Sequence, residues 1–275
     1  MKPLQATIEG IGFWAPGLPT WDAARAYANG GEPVADAPAR PSPQLLAPNE
    51  RRRAPEPVAV ALEVALAACT AAGREPIALP SVFASASGDL VITDYMCAAL
   101  ASDPRSISPT RFHNSVHNAA AGYWTIGTGA MQPATALSAG DATFAQALIE
   151  ALTQLASGAD AVLLAAYDGA SAGPLKQVVP SAGLLGAAMV LSRHAREGAP
   201  VLAVELGDDR GETASFGVLS KHAAGNAMAQ MLPVFDALAR YGTRDSEESV
   251  ILHAGAGRAL TVRIHRLSNE ATSTS

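Results

Sequence analysis

Continuous apolar runs alternate along the chain with stretches that have no apolar periodicity, and this contrast marks out the elements. Leu4 to Trp14 reads as an opening strand and turn, and Trp21 to Ala28 as one short helix. From Asn29 to Pro57 there are seven prolines and little periodicity, which predicts a long surface loop, residues 29–57, with Arg51-Arg52-Arg53 near its end. Val58, Leu62, Leu66 and Cys69 recur at helical spacing and predict a helix from Val58 to Ala72, stopped by Gly73. Pro76 to Ala86 reads as a strand ending in the turn Ser87-Gly88-Asp89, followed by a short helix carrying Tyr95, Met96, Ala99 and Leu100. A further helix is predicted over Asn118 to Ile126.

The strongest strand–helix–strand signal comes next. Thr135 to Leu137 is strand-like, and Ala142 to Ser157 places Phe144, Leu148, Leu152 and Leu155 on one helical stripe, with Asp141 as its expected cap and Gly158 as its end. Ala161 to Tyr167 is apolar throughout, as expected of a parallel strand buried on both faces, and Asp168-Gly169 closes it in a turn. Strands are also predicted near Gly186 to Leu191, Pro200 to Leu206 and Leu260 to Arg266, with a helix between Ala223 and Tyr241. The pattern is that of an α/β protein with a mixed sheet, one domain over residues 1–267, and a polar tail, 268–275, expected to be disordered.

Composition adds constraints. Hydrophobic residues make up 49% of 275 and charged residues only 16%, with a mean hydropathy of +0.15, so a large apolar surface must be buried in a core or against another chain. A net charge of −6 and a pI near 5.5 argue against nucleic acid or an anionic membrane as partner. Two cysteines are too few for a disulfide framework and point to a reducing, cytoplasmic setting. MKPLQATIEG lacks the apolar core of a signal peptide, Glu63 interrupts the run from Val58 to Ala72, and Ala182 to Leu191 is too short to span a bilayer, so no membrane helix is predicted.

Individual residues offer limited chemistry. Ser138 lies in a strand-to-helix turn, where hydrolases place a nucleophile, but Ala136-Leu137-Ser138-Ala139-Gly140 lacks the glycine two residues ahead, and serine commonly caps helices. His113 and His117 are four apart, as in a helical metal pair, yet Asn114 stands where a zincin would have glutamate and no third ligand is near. No metal is expected there. Cys69 and Cys97 lie within helical patterns rather than at a helix start that would lower a thiol pKa. Neither Gly10-Ile11-Gly12 nor Gly255-Ala256-Gly257 fits a dinucleotide fingerprint, and no cofactor is predicted.

The stretch Ser108 to Asp141, SPTRFHNSVHNAAAGYWTIGTGAMQPATALSAGD, resembles the approach to the catalytic cysteine of β-ketoacyl synthases, but it contains no cysteine. Counted back from Gly158-Ala159-Asp160, which looks like the family's helix exit, the nucleophile position falls near Gly140. The resemblance covers most of residues 3 to about 206 and implies a thiolase-like fold, the N-terminal ketosynthase half with a mixed sheet and flanking helices. Nothing after Gly207 matches the family's histidine turns, since His222 precedes Ala223-Ala224-Gly225 and His253 precedes Ala254-Gly255.

The chain is thus similar to the shortened chain-length factors of aryl polyene or polyketide synthesis. The resemblance implies a non-catalytic subunit that pairs with an active β-ketoacyl synthase, shapes its acyl tunnel and meets acyl carrier protein. It places Phe112, His113, His117, Asn118, Ala121 and Trp124 at the acyl tunnel or the interface, and Arg51, Arg52 and Arg53 at a carrier-protein contact. In the family, the strand Pro133 to Leu137 pairs across the dimer. Two other readings stand beside it: an acyltransferase or thioesterase acting through Ser138, and a stand-alone acyl-binding protein.

Overall fold

A computed structural model describes residues 3–209, 211, 216–241 and 247–266. The first part of the chain forms β1 (Leu4–Trp14), α1 (Trp21–Ala28), α2 (Pro48–Arg53), α3 (Glu56–Ala72), β2 (Ser81–Ala84), α4 (Leu90–Ser102), α5 (Pro109–Asn114) and α6 (Ala119–Thr128). There follow β3 (Ala134–Leu137), α7 (Thr143–Ala156), β4 (Ala161–Asp168), α8 (Leu175–Val178), β5 (Leu185–Ser192) and β6 (Pro200–Asp208). The last elements are α9 (Val218–His222), α10 (Leu232–Arg240), β7 (Glu248–Gly255) and β8 (Arg258–Arg266).

The strands form one mixed sheet in the order β3-β2-β4-β5-β1-β6-β8-β7. β1 lies at its centre, antiparallel to β5 on one side and to β6 on the other. Its pairing with β5 shifts register between Ile8 and Gly10, where Glu9 meets Arg74 at 2.7 Å. β2 runs parallel to both β3 and β4, with Phe83 opposite Ala136 and Ala165. The other pairings are antiparallel.

Each face of the sheet carries its own apolar layer. On one face, α3 packs across β1, β4 and β5, with Trp14, Phe83 and Trp124 among its neighbours. Gly10 and Gly12 of β1 explain how close that helix comes: a Cβ at Gly10 would collide with the carbonyl of Ala68, and one at Gly12 with the carbonyl of Val64. These glycines serve backbone contact, not a nucleotide. On the opposite face, Phe144, Leu148 and Leu152 of α7 join Leu232 and Phe235 of α10.

The predicted β1 and α1 agree with the structure, and α3 ends at Gly73 in a left-handed cap, φ +67. Several expectations need correction: the strand expected over Pro76 to Ala86 is β2 only at Ser81–Ala84, after a 3-10 turn at Pro76–Ala78. Residues 29–57 are not loop throughout, because α2 and the first turn of α3 lie within them. Of their prolines, Pro48, Pro55 and Pro57 sit at helix starts, where a missing N–H costs nothing. Asp141 does not cap α7; a 3-10 turn, Gly140–Ala142, precedes the helix, and the Thr143 hydroxyl accepts from the Ala139 N–H at 2.9 Å. β4 is buried along its whole length but runs parallel only to β2. α9 and β7 are additional elements. The tail from Ser268 lies outside the described residues. No helix among the described residues is long and apolar enough to cross a membrane.

Candidate functional site

The three parallel strands end side by side, and each delivers a polar residue to the same end of the sheet: Ser138 after β3, Ser85 after β2, and Asp168 closing β4. Asp168 is buried and accepts from the Ser85 hydroxyl at 2.6 Å and from the Ala86 N–H at 2.9 Å. Burial pushes its carboxyl up to about 6, against the opposing pull of those hydrogen bonds and of the nearby His117 ring. Ser85 Oγ in turn accepts from the Gly88 N–H at 2.8 Å, and His117 Nε2 donates to the Ser85 carbonyl at 2.9 Å. Asp89 then caps α4 by accepting from the Val91 and Ile92 N–H groups. The Ser85–Asp89 turn therefore joins the sheet to the excursion made by α4, α5 and α6.

The strand-to-helix turn beside it is exposed. Gly140 adopts φ +56 there and offers no side chain. The Ser138 hydroxyl donates to the Ala86 carbonyl at 2.8 Å, so its proton faces an amide oxygen, which is no base. The carbonyl of Gly140 accepts from Gln230 Nε2 at 3.3 Å, while Gln146 Nε2 of α7 donates to the Ala254 carbonyl of β7 at 2.6 Å. Elements far along the chain thus flank the start of α7.

The two histidines do not share a helix face. α5 ends at Asn114, so His113 lies on it, edge-on to Tyr123 at 6.2 Å, while His117 sits in the connection to α6. Among the described residues, no group of three His, Cys, Asp or Glu could hold a metal ion. Asn118 occupies the start of α6 without capping it through its side chain, and it lines a groove together with His113.

Trp124 and Ala121 lie in the core rather than on the surface. Trp124 is 0% exposed, packs on Phe83 with ring centroids 6.0 Å apart, and belongs to the core beneath α3, as does Ala121. Phe112, by contrast, is 60% exposed. The arginines diverge: Arg51 turns inward and donates to the Leu46 carbonyl at 2.9 Å, Arg52 binds Asn49, and Arg53 faces two grooves beside α5. A single basic run does not make a single basic patch here. Cys69 is buried in α3, and burial pushes its thiol up to about 12, while Cys97 is exposed on α4.

The two most exposed large apolar side chains among the described residues lie on or just after the same excursion. Ile126 of α6 is 80% exposed and Met131, between α6 and β3, is 95% exposed. β3 itself is an edge strand, with only β2 beside it among the described residues. The sequence reading missed the buried Ser85–Asp168 pair, although a lone acid ending the apolar run Ala161–Tyr167 was its signal.

A model of the β-ketoacyl synthase N-terminal domain matches residues 21–249. Among solved structures, the ketosynthase ApeO in complex with its chain length factor ApeC from Xenorhabdus doucetiae superimposes with a TM-score of 0.72 at 24% identity, covering 94% of this chain and 99% of the matched one. The ishigamide ketosynthase/chain length factor gives 0.73 at 16% identity, with 98% and 100% covered. A β-ketoacyl synthase from Burkholderia phymatum STM815 gives 0.69 at 12% identity, with 98% and 100% covered. No curated protein matches the sequence. The fold is that of the thiolase-like ketosynthases, and the chain belongs to the β-ketoacyl synthase N-terminal domain family.

Proposed function

We propose that this chain is a non-catalytic ketosynthase-like subunit of the chain-length-factor type, which pairs with an active β-ketoacyl synthase and shapes its acyl tunnel. The observation that carries this reading is the turn after β3. In the family that turn presents the cysteine that takes up the acyl group, and here it presents Gly140, while the neighbouring Ser138 hydroxyl is spent on the Ala86 carbonyl. Cys69 cannot substitute, since its thiol is buried and stays protonated at neutral pH.

The surface supports a partnership. β3 leaves one edge unpaired among the described residues, and Ile126 of α6 and Met131, in the connection to β3, stand exposed. Two of the similar structures contain a ketosynthase together with a chain length factor. The partner would supply the cysteine and histidines for decarboxylative condensation on acyl carrier protein.

The test is reconstitution with a co-encoded ketosynthase. The isolated chain is expected to form no condensation product and the pair to form it, with Cys69→Ser and Cys97→Ser fully active as subunits. Hydrolysis of a model thioester by the isolated chain, abolished in Ser138→Ala, would favour the acyltransferase or thioesterase reading instead.

A further inference from the structure

Between the loop ahead of α3, the start of α4 and α5 lies a groove of about 650 Å³, within the roughly 300–1,000 Å³ of small-molecule sites. Its apolar wall comes from Val91, Ile92 and Pro57, and its charged groups from three arginines and two carboxylates. No residue of the Ser138–Asp141 turn lines it.

The charges are not equally committed. Glu56 is paired with Arg40 at 2.7 Å, and Asp89 is held by the N–H groups of Val91 and Ile92 as the cap of α4. Arg111 lies 3.9 Å over the Tyr95 ring, a contact that orients a guanidinium and leaves its N–H donors available. Arg53 reaches the same groove from the end of α2. Arg40, Arg53 and Arg111 against Glu56 and Asp89 leave one positive charge in surplus, which matches one monoanion. Ser108, Thr110 and Asn114 add polar groups to the lining, while the wall of Val91, Ile92 and Pro57 favours an anion that also carries a hydrocarbon chain.

We propose that this groove binds a long-chain carboxylate, with its head group between the Arg53 and Arg111 guanidiniums and its chain along Val91, Ile92 and Pro57. Every residue lining the groove described here comes from this chain. A planar carboxylate accepts two N–H bonds from one guanidinium fork, which an alcohol of equal length cannot do.

The test uses the isolated full chain and the fluorescence of cis-parinaric acid, displaced by laurate or by dodecanol. Saturable binding at one site is expected, with laurate displacing at least tenfold better than dodecanol and losing that advantage in Arg53→Ala and in Arg111→Ala. Both side chains are exposed, so circular dichroism should show these variants folded, and Arg52→Ala serves as the control that keeps wild-type binding. The laurate advantage should shrink as salt is raised. Equal displacement by dodecanol, unchanged laurate affinity in both arginine variants, or no saturable binding to the wild type would each overturn the proposal.

Discussion

The Ser85 hydroxyl donates to the Asp168 carboxylate at 2.6 Å, and both residues are buried where β2 and β4 end. The pair fixes the turn from which α4 departs, so its ionisation is linked to folding. Asp168 is raised to about 6, while an unfolded aspartate titrates near 4. Over that window the folded state binds more protons than the unfolded one, so stability from this group is greatest below about 4 and falls as pH rises through about 6. The size is up to about 3 kcal/mol. Urea denaturation from pH 4 to 7.5 should show this component in the wild type and lose it in Asp168→Asn, whatever the variant's net stability.

Trp124→Ala should act on the fold. Removing a fully buried indole typically costs about 3–5 kcal/mol, and this one packs on Phe83 beneath α3. Thermal melting should drop accordingly. A variant that melts like the wild type would contradict the packing described.

Ile126→Lys and Met131→Glu should have the opposite profile. Both residues are exposed, so melting should stay within about 0.5 kcal/mol of wild type. Co-elution with a partner ketosynthase should fall sharply, because a charge would be desolvated in the contact. Phe112→Ala should leave the complex intact and lengthen its products, as read by mass spectrometry of carrier-bound intermediates.

Thiol titration separates the cysteines. One equivalent should react in the native chain at neutral pH, from Cys97, and two after denaturation, because Cys69 is buried with its thiol pushed up to about 12. Two fast equivalents in the native chain would mean that α3 is not docked as described.

Much of the fold was legible because burial is strong and local. α7 shows its stripe of Phe144, Leu148, Leu152 and Leu155, and β4 its uninterrupted apolar run. β7 was overlooked because the glycines after it were weighed as a nucleotide motif. Ala256 and Gly257 both take positive φ, as in a two-residue hairpin turn, and that was the readable signal for a strand on each side. The antiparallel pairing of β4 with β5 is set by register with distant residues, which periodicity does not encode. Trp124 shows the limit for the site: an aromatic on a helix reads the same whether it faces a core or a partner, and only the position of Phe83 decides.

The central place of β1 has a consequence for synthesis. Its neighbours are β5 and β6, so Leu4–Trp14 leaves the ribosome long before Leu185–Asp208 exists to pair with it. At about 5–20 residues per second that interval is on the order of ten seconds or more, during which the strand has helices such as α1 and α3 to lean on but neither neighbouring strand. The Gly10 and Gly12 contact with α3 would then act as an early clasp, holding the nascent strand until the sheet can close around it.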